Sequence, residues 1–483
     1  MKKRVSGWSK RKRIIMGILG VLAMMYIGVI VWHTFKPLPE GLQYAGDLHQ
    51  VEDVEMIYDL SFAQDQEGTD LQHELRIFDE IYAMIEEAEE FIVIDLFLFD
   101  NYSDLEVDFP AVAETLTNKL LAKKEEDPDF PIYFITDPLN FGYGSYESQL
   151  LGTMEDEGIE VIVTDLDELR DSTPLYSGLY RVVFQWFDAG GKGWLPNGMS
   201  SDAPELTISS YLKMMNIKAN HRKAVITEKE AIISSANPHN ASGLHGNMAF
   251  KVSGPVINDI LESEEAVSKF SGGPEFPRAE VQEQQGDYQV QYVTEKKVLD
   301  TLVADIEKTE EGDSIHLAMF YIAEGAVVNA LTEAANRGVK VRMVLDPNEN
   351  AFGTEKTGLP NRPAVHEMLA ETDDRIEVRW YNAVVGQFHT KSIMINTAEE
   401  SYISGGSTNY TERAFMNYNV ESNLRIVAPN DSELVGEMDE YFDRIWDNED
   451  ALYTLETDAY QDDFTFWQRG IYGFQKIFKL TTY

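Results

Sequence analysis

The chain has 483 residues, 43% of them hydrophobic and 11% aromatic, enough to fill the cores of two ordinary domains and too much for a disordered polymer. Against 40 Lys and Arg stand 83 Asp and Glu, a formal net charge of −43 whose field repels nucleic acid and anionic surfaces at long range. No Cys occurs, which excludes disulfides, thiolate chemistry and cysteine-ligated metals.

The first 13 residues hold seven basic and no acidic side chains, and 14–35 follow without a charge. At roughly 1.5 Å per residue an uncharged helix of that length crosses a hydrocarbon core of about 30 Å, longer than the apolar region of a cleavable signal. A long signal peptide that is removed is the alternative. The positive-inside rule keeps the basic tail in the cytoplasm and puts everything beyond Lys36 outside it, on a single-pass protein of the cell membrane. Residues 36–59 read as a linker, with two Pro and two Gly in 37–46. Taking the seven basic residues of the tail from the 40 leaves 33 against 83 acidic ones in the exported part, about −50 formally, a solubilising surface that suits a saline or alkaline exterior.

From there the chain runs through one programme twice. Helical apolar spacing over 74–90 precedes a buried-strand pattern over 91–99, and the pair returns at 297–308 and 314–322. Helices over 109–124 and 326–337 then lead to strands 131–136 and 339–345, each ending in Asp-Pro, at Asp137-Pro138 and Asp346-Pro347. Strand, helix, strand order predicts α/β halves with parallel strands, 60–275 and 276–446. The Asp-Pro pairs read as turn chemistry.

Each half next reaches a His-x-Lys. His221-Arg222-Lys223 runs into an apolar strand, a turn and Ser234-Ser235-Ala236-Asn237; His389-Thr390-Lys391 runs likewise to Ser407-Thr408-Asn409. Both read as β-hairpins that place His and Lys on one strand face, with the Ser-x-Asn returning beside them. Neutral His can attack phosphorus or pass a proton, Lys supplies point charge for phosphate oxygens, and Ser and Asn add neutral donors. A lone His-x-Lys says little, since a strand His is usually structural. Two copies in matching repeats supply what one cannot, a second His to protonate the leaving oxygen. The first half is longer before its motif, by an aromatic, Gly-punctuated insertion around 172–215 that reads equally as a substrate or membrane-contacting loop and as a subdomain packing its own aromatics. Beyond 446 a tail ends in a basic, aromatic stretch, 464–480, which reads as an interfacial helix or as a helix docked on the core.

These residues carry a resemblance to the phospholipase D superfamily, whose signature is His-x-Lys-x(4)-Asp followed by Gly-Ser-x-Asn; it covers roughly 60–446 and has cardiolipin synthase-like and phospholipase D-like members. The resemblance implies two α/β halves about a pseudo-two-fold axis, His221 as nucleophile forming a phosphohistidine, and His389 as general acid and then base. It also implies that Lys223, Lys391, Asn237 and Asn409 grip the phosphate with Ser235 and Ser407 beside the substrate, and that neither metal nor cofactor is needed. Glu421, in Asn419-x-Glu421, falls where the family has a carboxylate orienting the opposite His, and the corresponding stretch Asn247-Met248-Ala249 lacks an acid. The motif Asp is replaced by Glu228 and Asn396, at hairpin turns. The expected partners are a phospholipid and the bilayer, with no nucleic acid; the oligomeric state is not legible. An extracellular phosphodiesterase or nuclease of the same superfamily and a non-catalytic lipid-headgroup binder are the alternatives, and His239 and His245 read as scaffold rather than as acid/base groups or ligands.

Overall fold

The computed structural model describes residues 10–102, 107–187, 191–351, 354–355 and 358–460; the tail segment 464–480 lies outside them. Its first element, the 26-residue helix Lys10–Phe35, has no buried residue and is, among the described residues, the one helix long and apolar enough to cross a membrane. Only a stripe of it, Tyr26, Val29, Ile30, His33 and Thr34, is half-covered.

Two mixed sheets follow. The first orders its strands Gln72–Glu74, Val54–Phe62, Asn247–Ser253, Glu230–Ser234, Lys223–Thr227, Ile92–Leu96, Ile132–Thr136 and Glu160–Val163. The second runs His49–Val51, Tyr288–Thr294, Ser422–Ala428, Ser401–Gly406, Lys391–Asn396, Ser314–Met319, Lys340–Leu345, Glu377–Tyr381 and Thr454–Glu456. With the short edge strands set aside, the same order occurs twice, three parallel strands joined to an antiparallel hairpin and two further strands.

The parallel strands read as unbroken apolar runs because helices cover them: Ile92–Leu96 is buried at every position. Helix Ile77–Glu87 buries Ile77, Ile81, Met84 and Ile85, one stripe at helical spacing, and its counterpart Lys296–Glu307 buries Val298, Leu299, Leu302 and Ile306. The first helix begins later than the apolar spacing suggests because Asp59 Oδ1 accepts from the amides of Arg76 and Ile77 at 2.7 and 3.1 Å and fixes its start. Within 36–59, expected as a linker, Leu42 is fully buried, His49–Val51 pairs with the second sheet, and Val54–Phe62 opens the first. Apolar residues there find strand partners far along the chain, which local composition does not display.

The halves share a core. Met56, Leu60 and Phe250 of the first belong to one buried cluster with Tyr381, Phe388 and Met394 of the second. Two parallel bridges cross between the halves, Asn220 with Val420 and Gly246 with Phe388, and they are reciprocal, each joining the residue before a motif His to the last sheet-forming segment of the other half. That reciprocity is the mark of a pseudo-two-fold relation.

Candidate active site

Each motif His leaves its hairpin at the seam. His221 Nδ1 lies 2.9 Å from Glu421 Oε2, and His389 Nδ1 lies 3.2 Å from Asn247 Oδ1, so each imidazole is held by the opposite half. The inter-half bridges put Asn247 in the place of Glu421, one residue after Gly246 as Glu421 follows Val420. The first-half counterpart of Asn419-x-Glu421 is therefore His245-Gly246-Asn247, two residues earlier than the sequence comparison placed it. The acid is missing there, as expected, and an amide stands in its position.

The supports around the two imidazoles match. Ser407 Oγ donates to Glu421 Oε2 at 2.6 Å, and Ser235 Oγ donates to Asn247 Oδ1 at 3.1 Å. Both serines are fully buried, and each hydroxyl also accepts a backbone amide, from Ser422 and Met248 respectively. Expected beside the substrate, Ser235 and Ser407 instead hold the groups that orient the histidines. The phenyl rings of Phe97 and Phe320 pack on His221 and His389, with centroids 4.9 and 5.1 Å away.

Lys223 Nζ donates to the carbonyl of His221 at 2.7 Å, and Lys391 Nζ donates to that of His389 at 2.8 Å, each ammonium lying over the same phenyl ring that packs its histidine. Burial pushes the Lys223 ammonium down to about 7 although Glu421 opposes the shift, and burial with the neighbouring Lys223 lowers Lys391 further below the usual lysine range. Burial likewise takes His221 down to about 4, against the pull of Glu421, and His389 falls through burial and the charge of Lys391. With both lysines and both imidazoles pushed toward their neutral forms, an anion bound beside them would favour the protonated forms again.

Asn237 and Asn409 follow the returning strands. In both the side-chain Oδ1 is buried without a hydrogen-bond partner among the described residues. Two imidazoles and two lysines thus lie within electrostatic reach of one another across one seam, side-chain types suited to a tetrahedral phosphate.

Glu228 and Asn396 lie away from this centre, at the far ends of the hairpins. Glu228 accepts from the amides of Glu89 and Glu90 at 2.9 and 3.2 Å, and Asn396 accepts from Ser401 Oγ at 2.8 Å. Their departure from Asp alters turn supports and leaves the imidazoles untouched. His239 is tied to Ser242 Oγ at 2.9 Å and to the Tyr102 carbonyl at 3.2 Å, while His245 is half-buried with its ring 5.8 Å from that of His389.

The Asp-Pro pairs do more than turn the chain. Asp137 Oδ2 accepts from the amide of Asn220 at 2.8 Å and Asp346 Oδ2 from that of Phe388 at 2.7 Å, so each fixes the residue before a motif His. Their recurrence at the same place in both repeats was the available signal. A further support had none: buried Arg222 reaches Glu295 Oε1 at 3.0 Å, and the same oxygen accepts from the amide of Glu421 at 3.1 Å. Glu295 adopts φ 46°, a left-handed conformation costly for a side chain, in order to serve both.

Residues 302–446 match the family described as Cardiolipin synthase, PLD-like domain. No curated protein matches the chain. Among solved structures, phosphatidylserine synthase of Haemophilus influenzae Rd KW20 superposes with a TM-score of 0.54 at 9% identity, over 91% of this chain and 97% of that one, a likeness of fold alone. A polyphosphate kinase from Porphyromonas gingivalis aligns at a TM-score of 0.44 and 12% identity, over 89% of this chain and 54% of its own. Nuc, a phospholipase D family member from Salmonella typhimurium, aligns at 0.27 and 18% identity over 35% of this chain and 97% of its own. The last two are too loose to bear on the fold.

Proposed function

We propose that this chain, a phospholipase D-like α/β protein with one candidate membrane span, is a phosphodiester-transferring enzyme that acts on phospholipids through a phosphohistidine. The carrying observation is the reciprocal pair of imidazoles, His221 held by Glu421 and His389 by Asn247, with Lys223 and Lys391 each bonded to the carbonyl of its own motif His.

In this reading His221 attacks phosphorus with Nε2 while its Nδ1–H stays on Glu421, which stabilises the cation that forms. The P–N bond forms as the P–O bond to the leaving alcohol breaks, and His389 gives that oxygen its proton. An incoming hydroxyl then returns a proton to His389 and takes the phosphoryl group from His221. Lys223, Lys391, Asn237 and Asn409 hold the non-bridging oxygens. Whether the second hydroxyl belongs to an alcohol, as in cardiolipin synthesis, or to water, as in phospholipase D hydrolysis, separates transferase from hydrolase.

Membrane geometry supports a lipid substrate. The amide of Asp171 donates to the carbonyl of His33, near the end of the N-terminal helix, at 2.9 Å, and Asp171 Oδ1 accepts from Lys218 Nζ at 3.0 Å. Lys218 is three residues from His221, roughly 11 Å of chain at most. A centre that close to the end of a span lies near the headgroups of the adjoining leaflet. The strongly acidic exterior opposes the nuclease alternative.

The test is full-length protein in detergent–lipid micelles with phosphatidylglycerol, its lipid products resolved by mass spectrometry. Cardiolipin with released glycerol is the transferase outcome and phosphatidic acid the hydrolase outcome, each lost in His221→Ala and His389→Ala. A folded protein that yields no product from any phospholipid overturns the proposal in favour of a nuclease or a binding module.

A further inference from the structure

The segment from Pro174 to Phe187 sits beside the N-terminal helix and carries an apolar face with no protein partner among the described residues. It is a short helix, Pro174–Leu179, continued by a π-helical stretch, Tyr180–Phe184. Leu175, Leu179, Val182, Val183, Trp186 and Phe187 recur at helical spacing and are between 38% and 74% exposed. In a chain where a quarter of the residues are charged, 172–187 contain a single charge, Arg181. That guanidinium is buried and paired with Asp167 at 2.9 Å and Asp171 at 3.0 Å, so the outward face offers nothing to water.

The opposite face is fitted to the span. A Cβ on Gly178 would lie 2.4 Å from the Ile30 side chain and 3.0 Å from the Tyr26 ring, so only glycine allows this approach, the small-residue contact by which membrane helices pack. Tyr26 Oη donates to the Leu175 carbonyl at 2.6 Å. Tyr26 lies nine residues before the helix end at Phe35, roughly 14 Å along the axis, about the depth of one leaflet's hydrocarbon. A segment that enters beside residue 33, pairs with residue 26 and keeps its backbone bonds in helical turns can stand in lipid without stranding polar groups.

We propose that residues 174–187 are a re-entrant, bilayer-inserted segment, whose exposed face is covered by the acyl chains of the leaflet next to the catalytic halves. It stands independently of the reaction, and it resolves the two readings of the insertion in favour of membrane contact. Its base, Asp171 with Arg181 and Lys218, joins the lipid phase to the segment leading into His221.

The absence of Cys allows single nitroxide labels on the full-length protein in phosphatidylglycerol–phosphatidylcholine liposomes. Labels at Val183→Cys, Leu22→Cys in the span and Glu311→Cys on the far half are compared for collision with oxygen and with a water-soluble nickel complex. The Val183 label is expected to share the oxygen-rich, nickel-poor signature of Leu22, with Glu311 reversed. A Val183 label as open to nickel as that at Glu311 overturns the proposal, and the Leu22 label then tells whether the span falls with it. Shielding of Val183 from both reagents with spin–spin broadening also overturns it, because a second copy of the chain would then cover the face.

Discussion

The two halves repeat one sheet order and matching supports around their motif histidines, yet the group that holds each imidazole differs. His221 leans on a buried carboxylate, Glu421, whereas His389 leans on the amide of Asn247 in the equivalent place. A carboxylate stabilises an imidazolium; an amide oxygen fixes the tautomer and adds no charge. Under the proposed mechanism the histidine that carries positive charge through a covalent intermediate has the anion, and the one that gives its proton away has the neutral partner. Pseudo-symmetry supplies two alike histidines, and in that reading one side chain divides their labour.

The largest expected effect comes from erasing that difference. Glu421→Gln leaves both imidazoles on amides and should cut turnover by roughly 10²–10⁴-fold, the scale seen when a buried carboxylate behind a catalytic His becomes an amide. Steady-state kinetics on the lipid substrate checks this, and an unchanged kcat would break the assignment of His221 as nucleophile. The converse, Asn247→Asp, should raise the affinity of His389 for its proton and carry the high-pH limb of the rate profile upward, with a smaller loss of rate. An unmoved limb would take His389 out of the proton-transfer role.

The lysines sharpen the comparison through anion binding. With burial holding Lys223 at about 7 against 10.5 ordinarily, a bound dianion should draw a proton onto it. Binding that takes up a proton weakens as pH rises from about 7 toward 10.5, because the proton must come from ever scarcer supply. Sulfate does not titrate in that range, so calorimetry with it reads the protein alone. Proton uptake should shrink in both Lys223→Gln and Lys391→Gln, and a pH-independent affinity would place the anion elsewhere. The smallest effect belongs to Glu228→Ala, which removes an acceptor from two backbone amides at a hairpin turn. It should cost about 1–3 kcal/mol of unfolding free energy with kcat unchanged, measured by denaturant titration.

Much of this molecule was legible before any coordinates. The helical stripes ahead of Ile92–Leu96 and Ser314–Met319, the parallel strands ending in Asp137 and Asp346, and the two His-x-Lys hairpins are local patterns, and local patterns follow from side-chain period. The residues that complete the site are of another kind. Asn247 had been aligned with Asn419 because the two stretches look alike, while the bridges across the seam pair it with Glu421. Ser235 and Ser407 looked like substrate contacts because hydroxyls near a phosphate site usually are, but burial commits them to Asn247 and Glu421.

The sequence by itself determined the repeated α/β programme, the doubled His-x-Lys motif, the membrane-length helix and the acidic composition, since each depends on residue types at short spacing. Only the tertiary structure decided which half holds which histidine, that Asp137 and Asp346 clamp the motif backbones, and that Gly178 seats the insertion against Tyr26 and Ile30. Those contacts join residues far apart along the chain, and no local periodicity records which distant segment a buried polar group will meet.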